Sequence, residues 1–183
     1  MKKTIFTLLL SLLLQVSFSQ GTTLTKGETI DYLQKKLNEA GNFVLLEVDD
    51  ENLKQSSCTF KNSNIVLSGN VVEIFLRMDF SGSAYNDFLT FNFNPATIKT
   101  IDPSAIKATY RNREVTKDPK SSISWLKLEF ASSIGHKWGT TNILSNYCLF
   151  PYYNGDPQNG VRIKNAFLHL KDLIKAEGDP FDK

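Results

Sequence analysis

Residues 88–94, with the sequence FLTFNFN, decide the class of fold that this chain adopts. Large apolar side chains at positions 89, 91 and 93 alternate with threonine or asparagine at positions 90, 92 and 94. Successive side chains of a β-strand point to opposite faces, so this segment has one apolar and one polar face. The alternation predicts a half-buried strand in an antiparallel sheet.

Further strands are indicated on both sides of this segment. Short apolar or alternating runs, bounded by turn residues, predict them at 42–48, 56–61, 64–67, 71–80, 98–101, 108–111, 123–130 and 147–153. Because helical crossovers do not separate these runs, the pattern argues against a doubly wound parallel sheet. We expect about seven mostly antiparallel strands that form a small barrel or a strongly bent sheet.

Two helices flank the strands in the sequence. Thr25 followed by Glu28 is a capping-box pattern, and apolar residues then recur at helical spacing up to Gly41, which we expect to end the helix in a left-handed conformation. The second helix is predicted from Asp156–Pro157 to about Glu177. Its apolar stripe contains Ile163, Ala166, Phe167, Leu170, Leu173 and Ile174. The fold class is therefore α+β, with an N-terminal amphipathic helix and a C-terminal helix that covers the sheet.

The first nineteen residues have the features of a signal peptide. Lys2 and Lys3 precede an apolar run, and Ser17 and Ser19 supply small residues before a cleavage site. The run is about half the length of a membrane-spanning helix, so we expect cleavage and no transmembrane anchor. Residues 20–183 then form a single domain in the periplasm or outside the cell, with a mature N-terminus at Gln20 or Gly21.

The charge of the chain disfavours nucleic acid as a partner. Lys2 and Lys3 account for the whole net charge of +2, so the remainder is neutral, whereas nucleic-acid binding needs a clustered basic surface. Basic residues are denser between Lys99 and Lys120. This segment is interpreted as an ordinary solvated surface, with an anion site as the alternative.

The order of helix, antiparallel strands and closing helix, which contains RIKNAFLHLKDLIKA at 162–176, resembles small exported Bacteroidota proteins of unknown function. The Ser-Phe-Ser-Gln end of the leader is similar to leaders of that phylum. The resemblance implies a pleckstrin-homology-like barrel and carries no catalytic residue. Phosphoinositide-binding members of that fold have a basic pocket between their first strands. Here the first strands are acidic, with Glu47, Asp49, Asp50 and Glu51, so this lipid is not expected.

Catalytic and metal-binding patterns are scarce. The chain has two histidines, and it contains no HExxH, CxxC or GxSxG motif and no glycine-rich phosphate loop. His136 is expected in a glycine-flanked loop, GHKWG, and His169 on the border of the last helix. We predict no catalytic residue, no metal site and no cofactor, with a hydrolase site near His136 as the alternative. A reactive pair of Cys148 with His136 is disfavoured because Cys148 lies inside a predicted strand.

Cys58 and Cys148 are the only cysteines. Each shares strand parity with a phenylalanine, Phe60 or Phe150, which indicates that both are buried. In an oxidising compartment they can form a disulfide, and two buried thiols are the alternative.

Four aromatic residues are the candidate binding residues. Trp125 shares parity with charged residues and is expected on the solvent side of its strand, Trp138 lies in the histidine loop, and Tyr152 and Tyr153 precede the last helix. Rigid aromatic side chains at loops are typical of binding surfaces. We therefore expect an exported, non-enzymatic domain that binds a peptide, a partner protein or a small apolar ligand. A structural component of the envelope is the remaining alternative.

Overall fold

The computed structural model describes residues 23–49, 55–81, 86–105, 107–110 and 113–178. It contains helices α1 (Lys26–Ala40) and α2 (Asn159–Gly178) and a short 3-10 turn at Pro95–Thr97. The strands are β1 (Leu45–Asp49), β2 (Gln55–Thr59), β3 (Asn64–Ser68), β4 (Val71–Phe80), β5 (Asn86–Phe93), β6 (Ile98–Ala105), β7 (Lys107–Tyr110), β8 (Arg113–Lys117), β9 (Ile123–Trp138) and β10 (Thr141–Tyr153). The predicted leader, residues 1–19, lies outside the described residues.

The strands form one antiparallel sheet. Eight of them follow the order β10-β9-β5-β4-β2-β1-β8-β7, while β3 pairs with β4 and β6 pairs with β9 beside this path. The α+β class with a helix at each end of the chain is therefore confirmed. Among the described residues, β10 and β7 end the path without pairing with each other, so the sheet is open and the predicted barrel is not observed.

Helix α1 begins with the predicted capping box. The Thr25 hydroxyl accepts a hydrogen bond from the Glu28 backbone N–H, and Glu28 Oε2 accepts one from the Thr25 N–H at 2.8 Å. The bond from the Thr25 backbone is the main reason that the pKa of Glu28 lies below its ordinary value. The prediction of a left-handed Gly41 is wrong, since its φ is −61°. Glycine is favoured there by space, because a Cβ would lie 3.3 Å from the Phe60 carbonyl oxygen.

Helix α2 begins at Asn159, slightly later than predicted. Asp156 Oδ1 accepts a hydrogen bond from the Gln158 N–H, and the Asn159 N–H donates to the Asp156 carbonyl, so a turn precedes the helix. Four positions of the predicted stripe are fully buried: Ile163, Phe167, Leu170 and Ile174. They belong to one core cluster with Leu33 and Leu37 of α1 and with the inward side chains of the sheet.

Strands β9 and β10 form a hairpin much longer than the predicted segments at 123–130 and 147–153. Gly139, with φ of 55°, provides the left-handed residue of the two-residue turn. The GHKWG segment is therefore the end of a strand and a turn, and the predicted loop is wrong. Since the outer halves of both strands are largely exposed, their sequence lacks the apolar run of a buried strand.

The hairpin has two halves with different neighbours. We divide it into a near half, residues 123–130 and 147–153, and a far half, residues 134–138 and 141–145. Along β9, the near half pairs with β6 and the far half pairs with β5. Between the two halves the register shifts, because β9 has four residues between Glu129 and Ile134 where β10 has only Asn146. Strand β6 itself continues past Pro103 with an irregular register, and β8 was not predicted.

Candidate functional site

Trp125 is completely buried, which corrects the expectation that it faces solvent. Its ring makes an edge-to-face contact with Phe60, with centroids 5.3 Å apart. The opposite face of β9 bears Leu126, which is also buried. Both faces of this strand segment are covered by other parts of the protein. A residue that shares its face with charged side chains can therefore still be buried here.

The other three candidate aromatic residues are held by contacts within the chain. Trp138 Nε1 donates a hydrogen bond to Asp87 Oδ1 at 3.1 Å, and the Tyr152 hydroxyl donates to the Pro103 carbonyl oxygen. Tyr153 stacks on Phe43 with centroids 4.0 Å apart. Burial is the main reason that the pKa of Tyr152 is raised.

The four candidate residues do not converge on one surface. Trp125 is paired with Pro151, and Tyr152 and Tyr153 follow directly, so these three lie at the near end of the hairpin. Trp138 closes the turn at the far end, roughly 40 Å away at the usual rise of a strand. The four residues therefore do not lie together on one surface that could serve as a common binding face.

His136 is a strand residue with a buried side chain, 7% exposed. It is paired with Phe91 of β5 and Ile143 of β10, and its ring stacks on Phe91 at 4.5 Å. Neither ring nitrogen has a hydrogen-bond partner among the described residues. Burial lowers the pKa of His136 and so favours the neutral ring.

Cys148 is remote from His136, because Cys148 is paired with Leu128 and strand rise puts Leu128 roughly 25 Å from His136. The structure contains both cysteines as buried thiols, so the disulfide that the sequence left open is not formed in it. The Cys148 thiol lies 3.7 Å from the Leu149 carbonyl oxygen, and burial raises the pKa of Cys148 well above its ordinary value.

An open pocket of about 390 Å³ lies beside the start of α2. Tyr152, Ser124 and Lys117 contribute polar groups, and the wall is completed by Pro103, Ser104, Ala105, Pro157, Gly160 and Val161. Gly160 is required by close packing, since a Cβ there would lie 2.7 Å from the Tyr152 hydroxyl oxygen. Of the four aromatic candidates, only Tyr152 lines this pocket.

The outer face of the sheet carries exposed apolar side chains that the sequence analysis did not select. Pairing places Val66, Glu73, Asn92, Gly135 and Leu144 in one row across β3, β4, β5, β9 and β10. Val66 is 45% exposed and Leu144 is 90% exposed. Four strand spacings separate these two residues, which corresponds to roughly 20 Å.

The neighbouring row contains the polar residues Asn64, Thr90, Lys137 and Asn142 together with Phe75. Phe75 stacks on Phe88, with centroids 5.6 Å apart, and Phe88 is 36% exposed. We call Val66, Phe75, Phe88 and Leu144 the outer patch. The helices pack against the opposite, inward face, where Ile74, Phe91 and their neighbours form the core.

Leu144 also lies on a free strand edge. In a two-residue hairpin the closing residues, here Trp138 and Thr141, exchange hydrogen bonds, and pairs then alternate along the strand. The backbone N–H and C=O groups of Asn142 and Leu144 therefore point away from β9. Strand β10 ends the path of the described sheet, so no neighbouring strand covers this edge.

One sequence signal could have indicated the outer patch. Phe88 has the parity of Thr90 and Asn92, the polar positions of the alternating strand, so an aromatic ring on the solvent side was already implied. Likewise, Ile143 and Leu144 are adjacent, so in a strand only one of the two side chains can face the protein core.

Comparison with known proteins gives no functional lead, since no family model, curated protein or solved structure matches this chain. The resemblance to exported Bacteroidota proteins thus stays a prediction. The described residues contain no group of three or more histidine, cysteine or acidic side chains placed to hold a metal ion. Neither described helix combines the length and apolar character that crossing a membrane requires.

Proposed function

We propose that this protein is an exported, non-enzymatic domain that binds an extended segment of a partner protein along the free edge of β10. The observation that carries the proposal is Leu144, which is 90% exposed on the strand that ends the sheet. A free strand edge is a template for pairing with another chain, and an exposed leucine on it adds apolar surface to such a contact.

An extended polypeptide is the occupant whose chemistry fits this edge. A bound strand would pair with the unsatisfied backbone groups of Asn142 and Leu144, and its side chains on the outer face would lie beside Leu144. Residues 141–147 carry no charge, whereas natural sheets commonly protect free edges with lysine or proline. The absence of charge along this stretch favours pairing of the β10 edge with another strand.

Site-specific photocrosslinking tests the proposal. A benzophenone side chain at position 144, in the chain expressed in its native cell, is expected to link to one partner within an extended segment. The matched control is position 44, because Val44 is 42% exposed and lies outside both β10 and the outer patch. Equal crosslinking from both positions would contradict a specific edge.

The crosslinked segment is then made as a synthetic peptide and titrated by hydrogen exchange. Its binding should protect the backbone amides of Asn142 and Leu144, and Leu144→Lys should weaken it at least about tenfold, because losing an interface anchor costs about 2 kcal/mol or more. Val44→Lys should leave the affinity unchanged. Protection of amides elsewhere, with those of β10 unaffected, would place the binding site on another surface.

A further inference from the structure

His136 is a buried polar group that the fold does not satisfy. The side chain is 7% exposed, and Nδ1 and Nε2 both lack a hydrogen-bond partner among the described residues. Most buried polar side-chain atoms in proteins have such a partner. A phenylalanine or leucine would fill the space beside Phe91 without burying a polar atom that lacks a hydrogen bond. The presence of an imidazole at this position therefore needs a physical reason.

Protonation of His136 would be costly in this position. The imidazolium has two N–H donors and a full charge, and the cross-strand neighbours Phe91 and Ile143 offer no side-chain acceptor. The face of the Phe91 ring attracts a cation only weakly compared with the hydration that burial removes.

The ionisable groups on the paired strands do not compensate for the charge. On β5, Asp87 is the ionisable group that shares the inward face, and its carboxylate accepts the hydrogen bond from Trp138 Nε1. On β10, the described far half contributes only uncharged residues. On β9, Lys137 lies on the opposite face, where it pairs with Thr90 and Asn142, and it would repel a second cation.

The far half of the hairpin is also the part that can separate. Four paired positions join it to β5, from Leu89–Trp138 to Asn92–Gly135, together with hydrogen bonds from the Gly139 N–H to the Phe88 carbonyl oxygen and from Trp138 Nε1 to Asp87. The register shift between Ser145 and Tyr147 divides it from the near half, where Cys148, Phe150 and Tyr152 are anchored in the core. Local opening of such a segment needs less free energy than global unfolding.

We propose that His136 is a pH-sensitive latch: protonation of its imidazole releases the far half of the β9–β10 hairpin from β5, while the near half stays folded. The sign follows from burial, which lowers the pKa of His136 below its ordinary value of 6.5. As the pH falls through 6.5, the released state binds a proton before the closed state does, so acid favours release. The closed hairpin is fully stable only above this pH. Acid would also disturb the edge proposed above as a binding site, but the latch does not depend on that role.

Hydrogen exchange of the unliganded protein tests the latch. From about pH 7.5 to about pH 5, and after correction for intrinsic exchange, the far-half amides of the native chain should lose protection, because the released state takes up the proton more readily than the closed state does. Amides of the near half should keep theirs. His136→Phe should abolish the loss, and the control His169→Gln should retain it.

A second variant, His136→Leu, serves if the phenylalanine variant does not fold. Imidazole titration by NMR in the native chain should give a pKa below 6.5 for His136. The latch is overturned if the neutral variants lose the same protection in acid, if protection falls equally in all strands, or if the native far half does not respond to pH.

Discussion

At the scale of single residues, the packing of Tyr152 against the start of α2 shows how closely two elements approach. Gly160 leaves room for the Tyr152 ring, whose hydroxyl donates to the Pro103 carbonyl oxygen. Tyr152, a predicted binding residue, thus also fixes where the helix begins. Gly27 occupies the same second position in α1, but a Cβ there would meet only the Thr25 hydroxyl oxygen, at 4.0 Å.

This contrast gives opposite expectations for one substitution. Gly160→Ala should destabilise the protein by about 1–3 kcal/mol, because the added methyl group forces a buried ring to move. Gly27→Ala should stabilise it by about 0.4–1 kcal/mol, since alanine restricts the unfolded chain without a clash. Urea unfolding measures both. Equal effects of the two variants would mean that Tyr152 does not hold its position against the helix.

At the scale of elements, α2 is the longer of the two helices that pack against the inward face of the sheet. Its four fully buried apolar residues include Phe167, whose ring contacts Phe150 of β10 edge to face with centroids 5.4 Å apart. Lys171 Nζ donates to the Ile98 carbonyl oxygen, and Lys26 of α1 forms an ion pair with Glu177. The apolar contacts dominate, because exposed ion pairs contribute little.

Phe167→Ala should therefore lower the free energy of unfolding by about 3–5 kcal/mol, a large part of the stability of an ordinary domain. The control Val161→Ala, on an exposed position of the same helix, should change it by less than about 0.5 kcal/mol. Chemical denaturation followed by circular dichroism gives both values. If the Phe167 variant unfolds like the native chain, the helix is not docked on the sheet.

At the scale of the whole molecule, the state of the two cysteines and the removal of the predicted leader both depend on the compartment in which the chain works. Cys58 and Cys148 lie in β2 and β10, on parts of the sheet that are far apart in the strand order. Both are buried thiols in the structure. The fold therefore does not require a disulfide to link them.

We expect both thiols to resist alkylation in the folded protein, because burial excludes the reagent and raises the pKa of Cys148. After unfolding without a reductant, both should react, and the intact mass should rise by two adducts. Failure of the unfolded chain to react would show that the protein carries the disulfide.

The leader is expected to be removed during export. The mature N-terminus should be Gln20 or Gly21, because Ser17 and Ser19 provide the small residues that signal peptidase requires. Mass spectrometry of the protein from the periplasm or the medium decides this point. An intact Met1 in an alkali-resistant membrane fraction would contradict it.

The elements that could be predicted from the sequence are those that local contacts stabilise. The Thr25–Glu28 cap, the stripe of α2 and the alternation at 89–93 each depend on contacts within one turn or along one strand. The cap and the alternation are found as predicted, and four of the six predicted stripe residues are fully buried. The α+β class followed from their order.

Which strand faces are covered from both sides depends on contacts between distant parts of the chain. Phe60 packs against the buried Trp125, and pairing with β5 makes the GHKWG segment part of a strand. Both contacts join residues far apart in sequence, so local patterns do not predict them. Exposure of Leu144 likewise depends on the place of β10 at the end of the sheet, and strand order is a property of the assembled chain.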